Sequence, residues 1–167
     1  MIRLLHSLDS GRLAVAIEDS NPFGPPVPIL VEVNVSGDSS KHGVSPEQAK
    51  RLIAVLGEMH SVSVRGLMAM ASSHGVGKCA TASFARLREL RDRLCRNCQR
   101  GMTLDELSMG MSGDFEEVIV EGATIARIGS RLFEDILLRR SSDLTPRLRS
   151  YSDGNSRRQI MGASNDA

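Results

Sequence analysis

The sequence predicts an α/β fold, a partial TIM-type (β/α) barrel of about five parallel βα units. Three observations predict it. Strand-like and helix-like segments alternate along the chain as far as about residue 140. The segment Ile29-Leu30-Val31-Glu32-Val33-Asn34-Val35 is nearly all apolar, as in a strand covered on both faces. The helical segments carry an apolar stripe on one side, as helices laid on a sheet do. Strict alternation with short loops selects parallel strands joined by right-handed crossovers.

The elements follow in order. Leu4 and Leu5 lead a short strand through His6-Ser7-Leu8-Asp9, and Arg12 to Glu18 continues as a helix with Leu13, Ala14 and Ile17 at helical spacing. Asn21 to Pro28 holds four of the six prolines and reads as a loop before the strand Ile29 to Val35. Gly37 to Gly43 is polar. Ser45-Pro46-Glu47-Gln48 then supplies a capping hydroxyl, a proline at the first helical position and a glutamine three residues after the cap. Ala49, Leu52, Ile53, Leu56 and Met59 form that helix's apolar face. Val62 to Ala71 is the next strand, and Cys79 to Arg100 a long helix with Phe84, Leu87, Leu90 and Leu94 inward. Thr103 to Met111 is a strand, Asp114 to Glu117 has capping-box spacing for a short helix ended by Gly122, Thr124 to Ile128 is a fifth strand, and Ser130 to Arg140 a last helix.

An eight-stranded barrel of this kind needs about 250 residues, more than the chain contains. The sequence also starts directly on a strand. The expectation is either an open five-stranded sheet or the later part of a barrel without its first strands. From Ser141 the composition turns to Ser, Arg, Asp and Asn, which places the domain at 1–140 and a disordered polar tail at 141–167.

Composition narrows the function classes. With 21 basic against 20 acidic residues, nucleic acid is not expected as a main partner. No stretch has the length or apolarity of a membrane span or a signal peptide, and three cysteines cannot form a paired disulfide framework. The expected setting is the cytoplasm. Oligomeric state is not legible.

The strongest chemical cluster is Leu107-Ser108-Met109-Gly110-Met111-Ser112-Gly113-Asp114-Phe115, followed by Arg127-Ile128-Gly129-Ser130. Each half is a strand end turning into a helix start. Ser112 offers a hydroxyl, and Gly129 and Ser130 offer backbone N–H groups where the helix dipole favours an anion, so the two together suggest a phosphate seat. Barrels of this type commonly seat phosphate in the loops after their last two strands. The same residues also serve as tight turns and a helix cap, and their chemistry alone does not separate the two readings.

His6-Ser7-Leu8-Asp9, Val33-Asn34-Val35-Ser36 with Ser40-Lys41-His42-Gly43, Arg65-Gly66-Leu67-Met68, the Leu107 to Phe115 block and Arg127-Ile128-Gly129 resemble, in order, the pyridoxal-phosphate homeostasis protein family. The resemblance runs from about Arg3 to Phe133 and implies a barrel like the N-terminal domain of alanine racemase. It also implies a non-enzymatic protein that binds pyridoxal 5′-phosphate and helps control its free level and amino-acid balance. By position, Ser112, Gly129 and Ser130 would hold the phosphate and Arg127 would face the pyridine nitrogen, with Met111 and Lys41 completing the candidate set. The lysine to which the family attaches its cofactor ends the first barrel strand, which has no counterpart here. Lys50 falls on the polar side of a helix, Lys78 in a loop, and Lys41 either touches the cofactor or is a solvated loop lysine.

Rival readings are an amino-acid racemase fragment, which needs a lysine base and a second catalytic residue, and an inactive gene product. Cys95 and Cys98 make a lone C-x-x-C, half a zinc site, so no metal is expected. His6, His42, His60 and His74 are scattered and read as surface or loop residues. Asn34-Val35-Ser36 matches a glycosylation acceptor by chance, on a strand expected to be buried.

Overall fold

The computed structural model describes residues 2–70, 78–96, 102–130 and 132–133. Contacts divide the chain into two units, Met1–Ile128 and Gly129–Ala167. The first unit alternates strand and helix: β1 (Leu5–Leu8), α1 (Gly11–Ser20), β2 (Val27–Glu32), α2 (Pro46–Leu56), β3 (Val62–Met68), α3 (Lys78–Cys95), β4 (Glu106–Ser108) and α4 (Phe115–Val120). All strand pairings are parallel and the sheet order β1-β2-β3-β4 follows the chain, as in part of a (β/α) barrel wall. In the second unit, Ser130 opens a helical turn in which the Leu132 N–H reaches the Gly129 carbonyl. The rest of the expected last helix, and the tail expected at 141–167, lie outside the described residues.

Local signals explain most boundaries. Ser10 accepts the Leu13 N–H at 3.4 Å and caps α1. Ser45 and Gln48 complete a reciprocal capping box with Pro46 at the first position of α2. The β2 strand starts earlier than the prolines suggested, at Val27. The Val27 N–H donates to Ser61, and pairing with β1 begins only at Ile29, so the missing N–H of Pro28 breaks no ladder bond.

Register sorts the side chains. Val31, Leu67 and Leu107 are aligned across β2, β3 and β4, and with Ile29 they join Ala49, Ile53 and Leu56 of α2 and Phe84, Leu87 and Leu90 of α3 in one apolar cluster. This is the layer between sheet and helices. Arg88 and Glu121, 2.6 Å apart, tie α3 to the turn after α4.

The fifth strand is reduced to one parallel bridge, Ser108 to Ile125. The Thr124 hydroxyl takes the Leu107 N–H at 2.8 Å, and the Thr124 and Ile125 N–H groups both go to the Leu107 carbonyl, so no regular ladder propagates from there. The capping box expected at Asp114 is also absent: the Asp114 carboxylate makes no cap bond to α4 and instead accepts the Met111 N–H at 2.6 Å.

Gly66 shows how closely β3 and β4 approach. A Cβ there would lie 1.8 Å from the Glu106 carbonyl oxygen, a position no relaxation of a side chain relieves. Gly66→Ala is expected to destabilise the chain by about 2 kcal/mol or more, read as a lower urea midpoint. An unchanged midpoint would show that this approach is not maintained in solution.

Candidate functional site

The same register defines the opposite face of the sheet. Glu32, Met68 and Ser108, the last residues of β2, β3 and β4, align in one row, one step beyond Leu30, Gly66 and Glu106. Side chains alternate across a strand, so this row faces away from the apolar cluster. It lies at the carboxyl ends of parallel strands, where α/β folds place their ligand sites. Ile125 pairs with Ser108, and Arg127 follows two residues later on the same face.

Arg127 organises this end of the sheet. Its Nη1 donates to Ser108 Oγ at 2.8 Å and its Nη2 to the Ala69 carbonyl at 3.0 Å. Among the described residues, three of its five N–H donors stay available. Ser108, fully buried, also lies 3.0 Å from His6 Nδ1. The guanidinium occupies one Ser108 lone pair, and the hydroxyl's remaining proton and lone pair face His6 Nδ1, so the direction of that bond follows the His6 tautomer. Burial, and then the Arg127 charge, lower the His6 pKa. Burial also lowers the Arg127 pKa while Glu32 and Asp114 oppose the shift, and the group stays cationic. Glu32 is 6% exposed. Burial and the neighbouring Asp9 raise its carboxyl pKa, against smaller opposing effects of His42 and Arg127.

The predicted site residues fall as follows. Met111 and Ser112 occupy the turn between β4 and α4, held by the Met111 N–H to Asp114 Oδ1 and the Asp114 N–H to the Met111 carbonyl. Gly110 enters that turn at φ +79°, and a Cβ there would strike Val118. Asp114 acts on Arg127 electrostatically, so this turn and Arg127 share the carboxyl end of the sheet. Lys41 lies in the loop between β2 and α2, where Asn34 is the hub: its Nδ2 donates to the Asp38 carbonyl and its Oδ1 accepts from Ser36 and Gly37. Gly129 and Ser130 are exposed and open the second unit. Cys95 is exposed, and Cys98 lies outside the described residues.

Three residues of this end were given no site role from the sequence: Glu32, Ser108 and His6. Glu32 had a signal, being the one carboxylate in an otherwise apolar strand. His6, read as a surface or loop residue, sits instead on β1, and only the fold brings it to Ser108, 102 positions away.

A histidine whose folded pKa lies below its unfolded value of about 6.5 contributes stability above that pH, and the contribution is lost as pH falls through 6.5 toward the folded pKa. His6→Gln is therefore expected to lose less thermal stability than the wild type on acidification from about pH 7.5 to about pH 5.5. Identical acid responses in thermal melts would remove His6 from this linkage.

Comparison with known proteins fits this architecture. Residues 3–135 match the alanine racemase N-terminal domain family. The chain is 44% identical over 132 residues to the pyridoxal phosphate homeostasis protein of Aquifex aeolicus, covering 78% of this chain and 57% of that protein. It is 41% identical over 130 residues to the protein of the same name in Pseudomonas aeruginosa, covering 77% and 54%. Among solved structures, PipY of Synechococcus elongatus with pyridoxal phosphate bound aligns at a TM-score of 0.70 and 30% identity, over 78% of this chain and 60% of that one. The chain thus spans little more than half the length of the relatives it matches. From its matched span, its parallel βα order and the polar row at the carboxyl ends of its strands, the chain belongs to the alanine racemase N-terminal domain family.

Proposed function

We propose that the chain binds pyridoxal 5′-phosphate without catalysing a reaction on it, as part of the intracellular control of that cofactor and of amino-acid balance. The observation that carries this reading is the Arg127 guanidinium, anchored at the carboxyl end of the sheet with three N–H donors not taken up among the described residues. The resemblance to homeostasis proteins, and to a PipY structure containing the cofactor, supports it.

In this reading Arg127 donates a hydrogen bond to the pyridine nitrogen. Ser112 donates its hydroxyl to the phosphate, with the Met111 turn setting the direction of approach. Gly129 and Ser130 are assigned to the phosphate by their sequence position, and Lys41 to the cofactor's surroundings on the same basis. When bound, pyridoxal phosphate supplies an electron-withdrawing ring. A permanently protonated guanidinium does not hand that ring a proton, so the ring nitrogen stays neutral and the electron sink weak. That suits a carrier. Strands β1 to β4 contain no lysine, so none of them supplies an amine for covalent attachment.

The remaining assignments rest on composition and family: a barrel domain at 1–140, a polar tail at 141–167, a cytoplasmic setting, and a small-molecule partner rather than nucleic acid or a membrane. Among the described residues, no helix is long and apolar enough to cross a membrane.

Titration of the chain with pyridoxal phosphate, followed by borohydride reduction and mass spectrometry, is expected to show phosphate-dependent binding with no pyridoxyl-lysine. Absence of binding would overturn the reading, and a stable adduct at one lysine would overturn its non-covalent form. Ser112→Ala is expected to weaken binding by about 1 kcal/mol or somewhat more, the size of one hydrogen bond to a charged group. Unchanged affinity would remove Ser112 from the phosphate seat.

A further inference from the structure

His6 has no part in the binding reading above, yet it lies one hydroxyl away from the guanidinium on which that reading rests. We propose that His6 is a positioning residue for Arg127: through the Ser108 hydroxyl its neutral ring helps hold the guanidinium in place, and protonation of that ring loosens the hold, so that a phosphorylated pyridine bound against Arg127 is released on acidification. The inference rests on the proposed binding site and concerns its regulation.

The fold comes first. β1 and β4 are the outer strands of the sheet, three strand spacings apart, and a flat sheet would keep them about 14 Å from each other. Curvature of the sheet instead brings the His6 ring within 3.0 Å of the Ser108 hydroxyl. Arg127 Nη1 meets the same oxygen at 2.8 Å, so the imidazole and guanidinium nitrogens are separated by no more than these two bonds laid end to end. One buried oxygen joins them.

Hydrogen-bond capacity comes second. A hydroxyl has one proton and two lone pairs, and Arg127 occupies one lone pair. A neutral ring is free to accept the hydroxyl proton at Nδ1. A protonated ring carries N–H on both nitrogens, so Nδ1 donates into the second lone pair and the hydroxyl proton must turn away. Ser108 is fully buried, and among the described residues its hydroxyl meets no third group, so that proton is left without an acceptor.

Charge comes third. Glu32 at the end of β2 and Asp114 in the turn after β4 face Arg127, and Asp9 and His42 act on Glu32. Among the described residues no carboxylate pairs with His6, and the charge that acts on it is that of Arg127. A second cation on the shared oxygen therefore repels the first with no carboxylate of its own. Burial, and then that repulsion, keep the ring neutral to a lower pH than usual.

The test follows binding of pyridoxal 5′-phosphate to the full chain by calorimetry at about pH 7.5 and about pH 5.5, on either side of the ordinary histidine pKa, with circular dichroism to confirm folding. Wild type is compared with His6→Asn, whose carboxamide reaches the Nδ1 position and stays neutral at both pH values. The ionisations of the ligand and of Glu32, Asp114, Asp9 and His42 are common to both proteins. The expected result is that acidification weakens binding to the wild type about threefold or more beyond its effect on His6→Asn, with a ceiling of about tenfold for a ring that titrates below 6.5. Equal losses in the two proteins would overturn the inference and leave the proposed site standing. Failure of a folded wild-type chain to bind at about pH 7.5 would overturn the site itself. If His6→Asn does not fold, NMR titration of the His6 ring in the wild type decides. By linkage its pKa is lower with the ligand bound than without it, and an unchanged or raised value would overturn the inference.

Discussion

The carboxyl end of the sheet depends on one half-buried cation, Arg127. Arg127 lies beyond the last described strand, yet its guanidinium reaches back to Ser108 at the end of β4 and to the Ala69 carbonyl just after β3. A guanidinium does not shed its charge on burial, so its surroundings must supply acceptors and negative charge instead. Ser108 and Ala69 supply the acceptors, and Glu32 and Asp114 the charge. The segment that ends in Arg127 is thereby held to the sheet although it pairs through a single bridge.

That cation contributes to the state of its neighbours. Ser108 accepts from the guanidinium and hydrogen-bonds to His6, so one hydroxyl couples a residue of β1 to one beyond β4. Burial, and then the guanidinium charge, disfavours the protonated imidazole and lowers the His6 pKa. Glu32 responds in the opposite sense: burial and Asp9 disfavour its ionised form more than the distant positive charges favour it. The row of Glu32, Met68 and Ser108 thus carries a carboxylate at one end and meets the Arg127 guanidinium at the other.

The two faces of the sheet divide the labour. On the helix side Ile29, Val31, Leu67 and Leu107 bury against α2 and α3, and this apolar layer stabilises the unit without any polar requirement. On the other side polar groups interrupt Leu30 and Met68, and Gly66 lets the β4 backbone approach β3 closely enough to keep Met68 and Ser108 aligned. The Ser108 hydroxyl is tolerated there because Arg127 and His6 give it partners.

Much of the architecture was legible in the chain itself. Ser45, Pro46 and Gln48 announce the start of α2 through bonds local to one turn, and the apolar faces of α2 and α3 are set by a 3.6-residue period that needs no tertiary information. The block from Leu107 to Phe115 likewise pointed to the turn after β4, although Asp114 proved to bind the Met111 N–H rather than cap α4. Long-range facts were not legible. The meeting of His6 with Ser108 and the reach of Arg127 to Ala69 join residues tens of positions apart, and their pairing is decided by strand order and register. Periodicity assigns a side chain to a face of its own strand, but which neighbour shares that face, and with what charge, exists only once the strands are laid side by side.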